Sequence, residues 1–497
     1  MVEKFFWADQ IAEKIIKEKG NKKEYVCASG ITPSGTVHIG NFREVITTDL
    51  VVRALKEKGK KVKFIYSWDD YDRFRKIPKN IPENYEKYLG RPISDIPSPF
   101  GEKDKSYAEH FEEEFEKSLK KVWIKPNFIR QSLMNKKCKY SRLIKTALEK
   151  KEIIREILNK YRKEPLSNDW IPVIIYCSKC KRDFTKILDI KGYKIKYECK
   201  CENKEEIDIR KNGNVKLQWR VDWPARWKYE RVDFEPGGID HSVEGGSFST
   251  GKEIIKKIFD YEAPMYQFYD WVNIKGGGMF SSSSGNALTL DEVEEVYEPE
   301  ILRYLFVGTK PRTGFQISFD NDVIKIYEDF DKLEEDYFEK KLDNQQKRIY
   351  ELSKINIPKK KPKKISFRHL TTLVQLDKNK EINKDSKERA EKVKNWLKKH
   401  SGEDMKFEIQ EKLKFPFEGK EKEALIDLRE RLKTKDFNTE ELFNEFYDIC
   451  QKNDIKNTDF FRASYQAIIG KEKGPRLAEF IALVGKEKII KLLEQIK

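Results

Sequence analysis

Between residues 24 and 70 an apolar run, a glycine-punctuated turn, a helix-like repeat and a second apolar run follow one another, and no other feature restricts the fold as much. EYVCASG (24–30) is a short apolar stretch closed by Ser-Gly, the pattern of a buried strand. From His38 the apolar positions Ile39, Phe42, Ile46, Leu50 and Ala54 recur every three or four residues, predicting an amphipathic helix that Gly59 stops. KVKFIYSWDD (61–70) is a second strand ending on two carboxylates. Strand, helix and strand within this compass predict a right-handed parallel crossover. Its ligand crevice lies beyond the carboxyl ends of the strands. Both TPSGTVHIGN (32–41) and Asp69-Asp70 fall at that edge.

The remainder extends this frame. At 497 residues the chain exceeds one compact core, so several domains are expected. Proline and glycine make 77–101 irregular, and helical periodicity returns at about 106–121 and 141–162. Tyr176–Ile209 carries clustered cysteines among short strand-like runs, and 215–275 is apolar or glycine-rich, suiting the second half of a sheet. Beyond about Leu290 the pattern is helical, broken by the basic linker IPKKKPKK at 357–364. The expected architecture is therefore α/β. A Rossmann-type parallel-sheet domain spans 1–275, with a small zinc-binding insertion at about 165–215. A loop and connecting subdomain cover 276–330, and an all-α domain covers 331–497. Lys and Arg number 101 against 85 Asp and Glu, a net charge of +16 that attracts polyanions such as nucleic acid. No run of about 18 apolar residues predicts a membrane span. The charged N-terminal stretch is unlike a secretory leader, so a cytoplasmic location is expected.

Three motifs carry chemistry. Gly30 and Gly35 permit close backbone approach, Pro33 stiffens the turn, and the first helical N–H groups point outward, an arrangement that binds phosphate. His38 adds a donor for charge growing on a phosphate, and Asn41 lies one turn along. A plain turn with a helix cap is the competing reading. KGGGMFSSSSGN (275–286) cannot build a core and reads as a mobile polar loop, either closing over a nucleotide or simply linking domains. Cys177, Cys180, Cys199 and Cys201 form two close pairs, which suits a filled tetrahedral zinc site, with buried free thiols as the alternative. Cys27, Cys138 and Cys450 are read as packing residues.

The HIGN turn followed about 240 residues later by the serine-rich loop resembles the class I aminoacyl-tRNA synthetases. WDDYDRFRKIP (68–78), WRVDWPARW (219–227), FEPGGIDHSVEGGSFSTGKEII (234–255) and GPRLAEFIALVGKE (474–487) narrow the resemblance to class I, archaeal-type lysyl-tRNA synthetases. It implies activation of L-lysine by ATP with Mg²⁺, then transfer to the terminal adenosine of tRNA(Lys). His38, Asn41, Ser281, Ser283 and Lys275 are the expected catalytic group. Thr32, Pro33, His38, Gly40, Asn41, Asp240, Ser282 and Ser284 are expected to hold ATP. For lysine the resemblance points to Gly30, Thr32, Trp219, His241 and Tyr269. Asp69 and Asp70, ending a strand beside that site, are candidate ammonium partners. The family's second motif usually carries lysines, and here Met279 and Ser284 stand in their places. Lys275, Lys310, Arg312 and the Ser281–Ser284 hydroxyls are the candidate substitutes. The resemblance also implies a helical anticodon-binding domain, matching a basic C-terminal portion that holds Phe407, Phe415, Phe417, Phe443 and Tyr447. A glutamate-specific relative and a tRNA-binding paralogue with impaired activation are the alternatives.

Overall fold

A computed structural model describes residues 6–276 and 288–496. The strands, in chain order, are β1 (Tyr25–Ile31), β2 (Val62–Trp68), β3 (Asn127–Arg130), β4 (Val173–Ile175), β5 (Thr185–Lys191) and β6 (Lys194–Cys199). They continue as β7 (Lys204–Asp208), β8 (Val215–Leu217), β9 (Phe234–Gly238), β10 (Met265–Tyr269), β11 (Val272–Ile274) and β12 (Phe315–Ile317). Helices α1 (Trp7–Lys19), α2 (Ile39–Glu57) and α3 (Tyr107–Lys121) belong to the same half of the chain.

Five strands form one sheet in the order β10-β9-β1-β2-β3, every neighbour parallel. Crossovers leave β1 in both directions, so the crevice between the ends of β1 and β9 is a topological switch point, where ligands of such sheets bind. β1 pairs with β2 along its whole length, from Tyr25 opposite Val62 to Ile31 opposite Trp68. Val26, Ala28 and Ile65 join a buried cluster with Trp223, Trp227 and Ile254.

The helix that follows β1 differs from the amphipathic expectation. Ile39, Phe42, Ile46, Leu50 and Ala54 are buried as predicted, but so are Arg43, Thr47, Thr48 and Asp49. α2 is enclosed nearly all round because it runs against β1, β2 and β9 while also meeting α1 and the helix Pro299–Val307. Two of its buried charged residues find partners locally. Arg43 donates to the carbonyl oxygens of Lys310, Pro311 and Thr313, and Asp49 accepts from Arg53 and Arg303.

β4 and β8 pair antiparallel, and between them β5, β6 and β7 form a three-stranded antiparallel sheet. Its Ile195, Tyr197 and Ile207 belong to the same buried cluster as β1, which seats the cysteine-bearing insertion against the main body. WRVDWPARW is helical, Trp219–Glu230, rather than part of the sheet.

The chain divides into two compact units. One comprises residues 1–294, 299–317 and 341–357; the other comprises 295–298, 318–340 and 358–497. The second unit contains no strand among its described residues. Its helices between Gly419 and Leu493 close on a core that includes Leu425, Leu428, Phe446, Phe460, Ile468 and Phe480. A second buried feature of this unit is Arg389, whose guanidinium spans Glu298 and Asp331. The described residues include no helix long and apolar enough to cross a membrane.

Candidate functional site

His38 is the N-cap of α2, and the cap explains its geometry. The His38 N–H donates to the Asn41 side chain at 3.1 Å, while the Gly40 N–H donates to His38 Nδ1, also at 3.1 Å. An Nδ1 that accepts carries no proton, so the neutral ring holds its proton on Nε2. Burial lowers the pKa of the imidazole to about 4 and keeps it neutral. The capping reading and the donor reading therefore hold together: one nitrogen caps the helix and the other carries the proton.

Gly30, the last residue but one of β1, sits where nothing larger fits. A Cβ there would sit 2.5 Å from the Ser67 carbonyl oxygen across the sheet. Its N–H donates at 2.9 Å to Glu44 Oε1, which also accepts from Ser29 Oγ, while Tyr269 donates to Glu44 Oε2 at 2.8 Å. Glu44 lies one turn after Asn41 on α2. Burial pushes its carboxyl up to about 7 against those hydrogen bonds.

These groups open onto a cleft of about 640 Å³ at the carboxyl ends of β1, β2, β9 and β10. Of the residues named from sequence, Gly30, Thr32, His38, Gly40, Asn41 and Asp69 line it, as do Trp219, Asp240, His241 and Tyr269. A recess of about 50 Å³ shares Gly30, Glu44, Asp69, Trp219 and His241 with the cleft, and continues to Trp223 and Glu235. Its wall is aromatic: Trp219 stacks on Trp223 at 5.3 Å and 13°, with His241 6.1 Å from Trp219. Burial also raises Glu235 to about 7, although Trp227 Nε1 donates to it at 2.6 Å.

The two strand-end aspartates separate. Asp69 reaches the cleft, but Arg226 grips both its oxygens at 2.5 and 3.2 Å, so its charge is already balanced. Asp70 lines neither cavity; it accepts from the Ser132 N–H and hydroxyl in the interior. β2 stops at Trp68, and the Asp72 N–H closes a turn onto the Asp69 carbonyl at 3.2 Å, so the two neighbouring side chains part there, which the doublet in sequence conceals. Pro33 is buried beneath the turn and does not line the cleft. Lys275, Lys310 and Arg312 are likewise absent from its lining. Lys275 follows β11 with its N–H on the Ile317 carbonyl, and Arg312 lies 4.8 Å over the Phe268 ring. Ser281, Ser282, Ser283, Ser284 and Met279 lie outside the described residues.

Sequence reasoning missed Glu44, Asp72, Lys216, Arg226 and Glu235. Glu44 had a signal: it continues the three-residue spacing of His38 and Asn41. Asp72 had none, since its partners come from distant segments. Thr32 Oγ1 donates to it at 3.0 Å and Lys216 pairs with it. Burial alone would raise the Asp72 carboxyl, but the Lys216 ammonium holds it below the usual carboxylate range.

In the insertion the four cysteine Sγ atoms lie within 4.8 Å of one another, with Cys177–Cys201 and Cys180–Cys199 both at 3.6 Å. Tetrahedral zinc with Zn–S bonds of ~2.3 Å separates its sulfurs by about 3.8 Å, so the four thiols fit that ion. Cys27 and Cys450 are buried, and Cys138 is partly so.

Comparison with known proteins identifies the family. Residues 5–356 match the family of tRNA synthetases class I (K), and residues 380–497 match an anticodon binding domain. A lysine–tRNA ligase of Borrelia garinii subsp. bavariensis is 47% identical, covering 98% of this chain and 99% of its own length. Another from Pyrococcus horikoshii is 42% identical over 98% of this chain and 99% of its own. A crystal structure of a glutamate tRNA ligase from Elizabethkingia meningosepticum in complex with its amino acid has a TM-score of 0.50 at 13% identity. It covers 96% of this chain and 100% of that one, a likeness of fold. With a family match over most of its length and relatives that align from end to end, the chain belongs to the class I lysyl-tRNA synthetases.

Proposed function

We propose that this chain, an aminoacyl-tRNA ligase, activates lysine with ATP to lysyl-adenylate and transfers the lysyl group to the 3′-terminal adenosine of tRNA(Lys). The observation that carries the amino-acid specificity is Glu44: a half-buried carboxyl held by Gly30, Ser29 and Tyr269, facing a recess walled by tryptophans. A lysine side chain lays its methylenes on Trp219 and Trp223 and its ammonium against Glu44, with Thr32 and His241 toward the α-carbon end. Glutamate would need a cation there. Arg226 lines the recess, but Asp69 and Asp222 already occupy it.

In activation, the lysine carboxylate attacks the ATP α-phosphorus and pyrophosphate leaves. The amide groups at the start of α2 and the Nε2–H of His38 stabilise charge growing on the α-phosphate oxygens. Asn41, whose amide oxygen accepts from the His38 N–H, lines the cleft and keeps its amide nitrogen as a donor for phosphate or ribose oxygens. Asp240, following β9, is the candidate partner for ribose hydroxyls. Mg²⁺ bound with ATP supplies charge neutralisation on the departing pyrophosphate. Lys275 and Ser281–Ser284 are proposed to complete the phosphate contacts. The four cysteines would hold structural zinc and take no part in the chemistry. A cytoplasmic location goes with this reading.

Amino-acid-resolved ATP–pyrophosphate exchange, run with Mg²⁺ in the presence and absence of tRNA(Lys), tests it. Exchange with lysine at least a hundredfold above that with glutamate is expected. Exchange near background for every amino acid in both arms would instead identify a paralogue that binds tRNA without charging it.

A further inference from the structure

We propose that Arg75 and Lys76 form a phosphate-binding rim that grips the 3′ end of the acceptor strand as it enters the cleft. The inference rests on the ligase reading above and adds the place where the RNA end is held.

The cleft's charges are segregated. Asp240 and Asp270 follow β9 and β10 on one side of β1, while Arg73, Arg75 and Lys76 follow β2 on the other. Most charges on the β2 side are already balanced. Asp69 is held by Arg226, Asp72 by Lys216 and Thr32, and Arg73 by Asp183 at 2.9 Å. Arg75 and Lys76 are different. Both are exposed and line the cleft, and neither has an ion-pair or hydrogen-bond partner among the described residues. Arg75 acts electrostatically on Asp72, a carboxylate already held by Lys216 and Thr32.

The backbone that carries them is fixed. The Phe74 N–H donates to the Arg91 carbonyl at 2.7 Å, the Gly90 N–H to the Phe74 carbonyl at 3.0 Å, and the Ile93 N–H to the Asp72 carbonyl at 2.9 Å. Phe74 is buried edge-on against Tyr107, whose hydroxyl donates to the Ser34 carbonyl of the phosphate-binding turn. A rigid ribbon thus presents two adjacent cations to the mouth of the site while the groups around them are neutralised. Three anions enter this cleft: the lysine carboxylate, the triphosphate and the terminal phosphodiesters of the RNA. α2 and its cap, which follow β1, are the seat proposed above for the triphosphate, whereas Arg75 and Lys76 follow β2. An exposed rim on the β2 side suits a polymer that arrives from solvent, because each phosphodiester offers one charge to one side chain.

The test is binding, with no turnover needed. Affinity of the full chain is measured for tRNA(Lys) transcript and for the same transcript lacking its last three nucleotides. The wild-type protein should bind the complete RNA more tightly. Arg75→Ala/Lys76→Ala should lose about tenfold for the complete RNA and nothing for the truncated one. Its log-affinity against log-salt slope should be shallower by about 1.4, at ~0.7 per single-stranded phosphate contact. The charge-conserving pair Arg75→Lys/Lys76→Arg should retain binding, which separates loss of charge from loss of fold. Equal losses on both RNAs, or none, overturn the proposal. A raised KM for ATP with unchanged RNA binding also overturns it, assigning the rim to the triphosphate instead. Failure of lysine exchange with the RNA difference intact would overturn the ligase reading and leave the rim standing.

Discussion

Glu44 shows how one half-buried residue is tuned by what surrounds it. Three donors hold its oxygens, yet burial still carries its carboxyl up to about 7, because lost hydration outweighs those hydrogen bonds. The sign of the consequence follows. At pH 6 Glu44 is largely protonated and gives a lysine ammonium no counter-charge; at pH 8 it is ionised. Lysine affinity should therefore rise between pH 6 and pH 8, with a proton released on binding. Calorimetry in two buffers of different ionisation enthalpy reads that proton directly. Glu44→Gln should remove the pH dependence and weaken lysine by about 1.5–3 kcal/mol, roughly 10- to 150-fold. Glu235 titrates in the same range, so Glu235→Gln is the control that should keep the release. An affinity unchanged from pH 6 to pH 8 would count against Glu44 as the ammonium partner.

At the scale of elements, the strand ends and the helix cap were legible because each is a local pattern. Apolar runs closed by glycine became β1 and β2, and His38 and Asn41 became reciprocal cap partners. The WRVDWPARW segment was not legible as a helix: its tryptophans suit a strand, and its position under the site is what fixes them. The cysteine element lies between these cases. Two close pairs signalled a metal, and the antiparallel β5-β6-β7 sheet brings the pairs together. One zinc per chain is expected from metal analysis of protein purified without added metal. Cys199→Ser should abolish it and lower Tm by at least about 5 °C, since the ion cross-links a sheet whose Ile195 and Tyr197 pack into the main core. A Cys199→Ser protein with full zinc and unchanged Tm would exclude this role.

For the whole molecule the governing quantity is the net charge of +16. Dozens of surface lysines are paired with carboxylates, so the excess, rather than the total, is what a polyanion meets. With about four to six phosphates contacted, tRNA(Lys) affinity should fall roughly 100- to 1,000-fold between ~50 and ~200 mM salt. Filter binding over that range measures it, and a flat response would rule out a phosphate-dominated interface. Exposed Phe443 and Tyr447, one turn apart on the helix Thr439–Lys452, lie 5.2 Å from each other in the second unit. Phe417 and Phe446 close its core instead. Composition could not tell these two uses of an aromatic residue apart.

What the amino-acid order alone determined is everything set by near neighbours. It dictated the parallel crossover, the capped helix at its edge and the paired cysteines. Only the folded chain decided which carboxylates face the cleft. Asp69 and Asp70 are adjacent in sequence, yet one reaches the cleft already neutralised by Arg226 and the other is buried on Ser132, while Glu44 from another element meets the recess. The physical reason is that a side chain's charge matters by what lies within a few ångströms of it. For Asp69 and Asp72 those neighbours are 157 and 144 residues away along the chain.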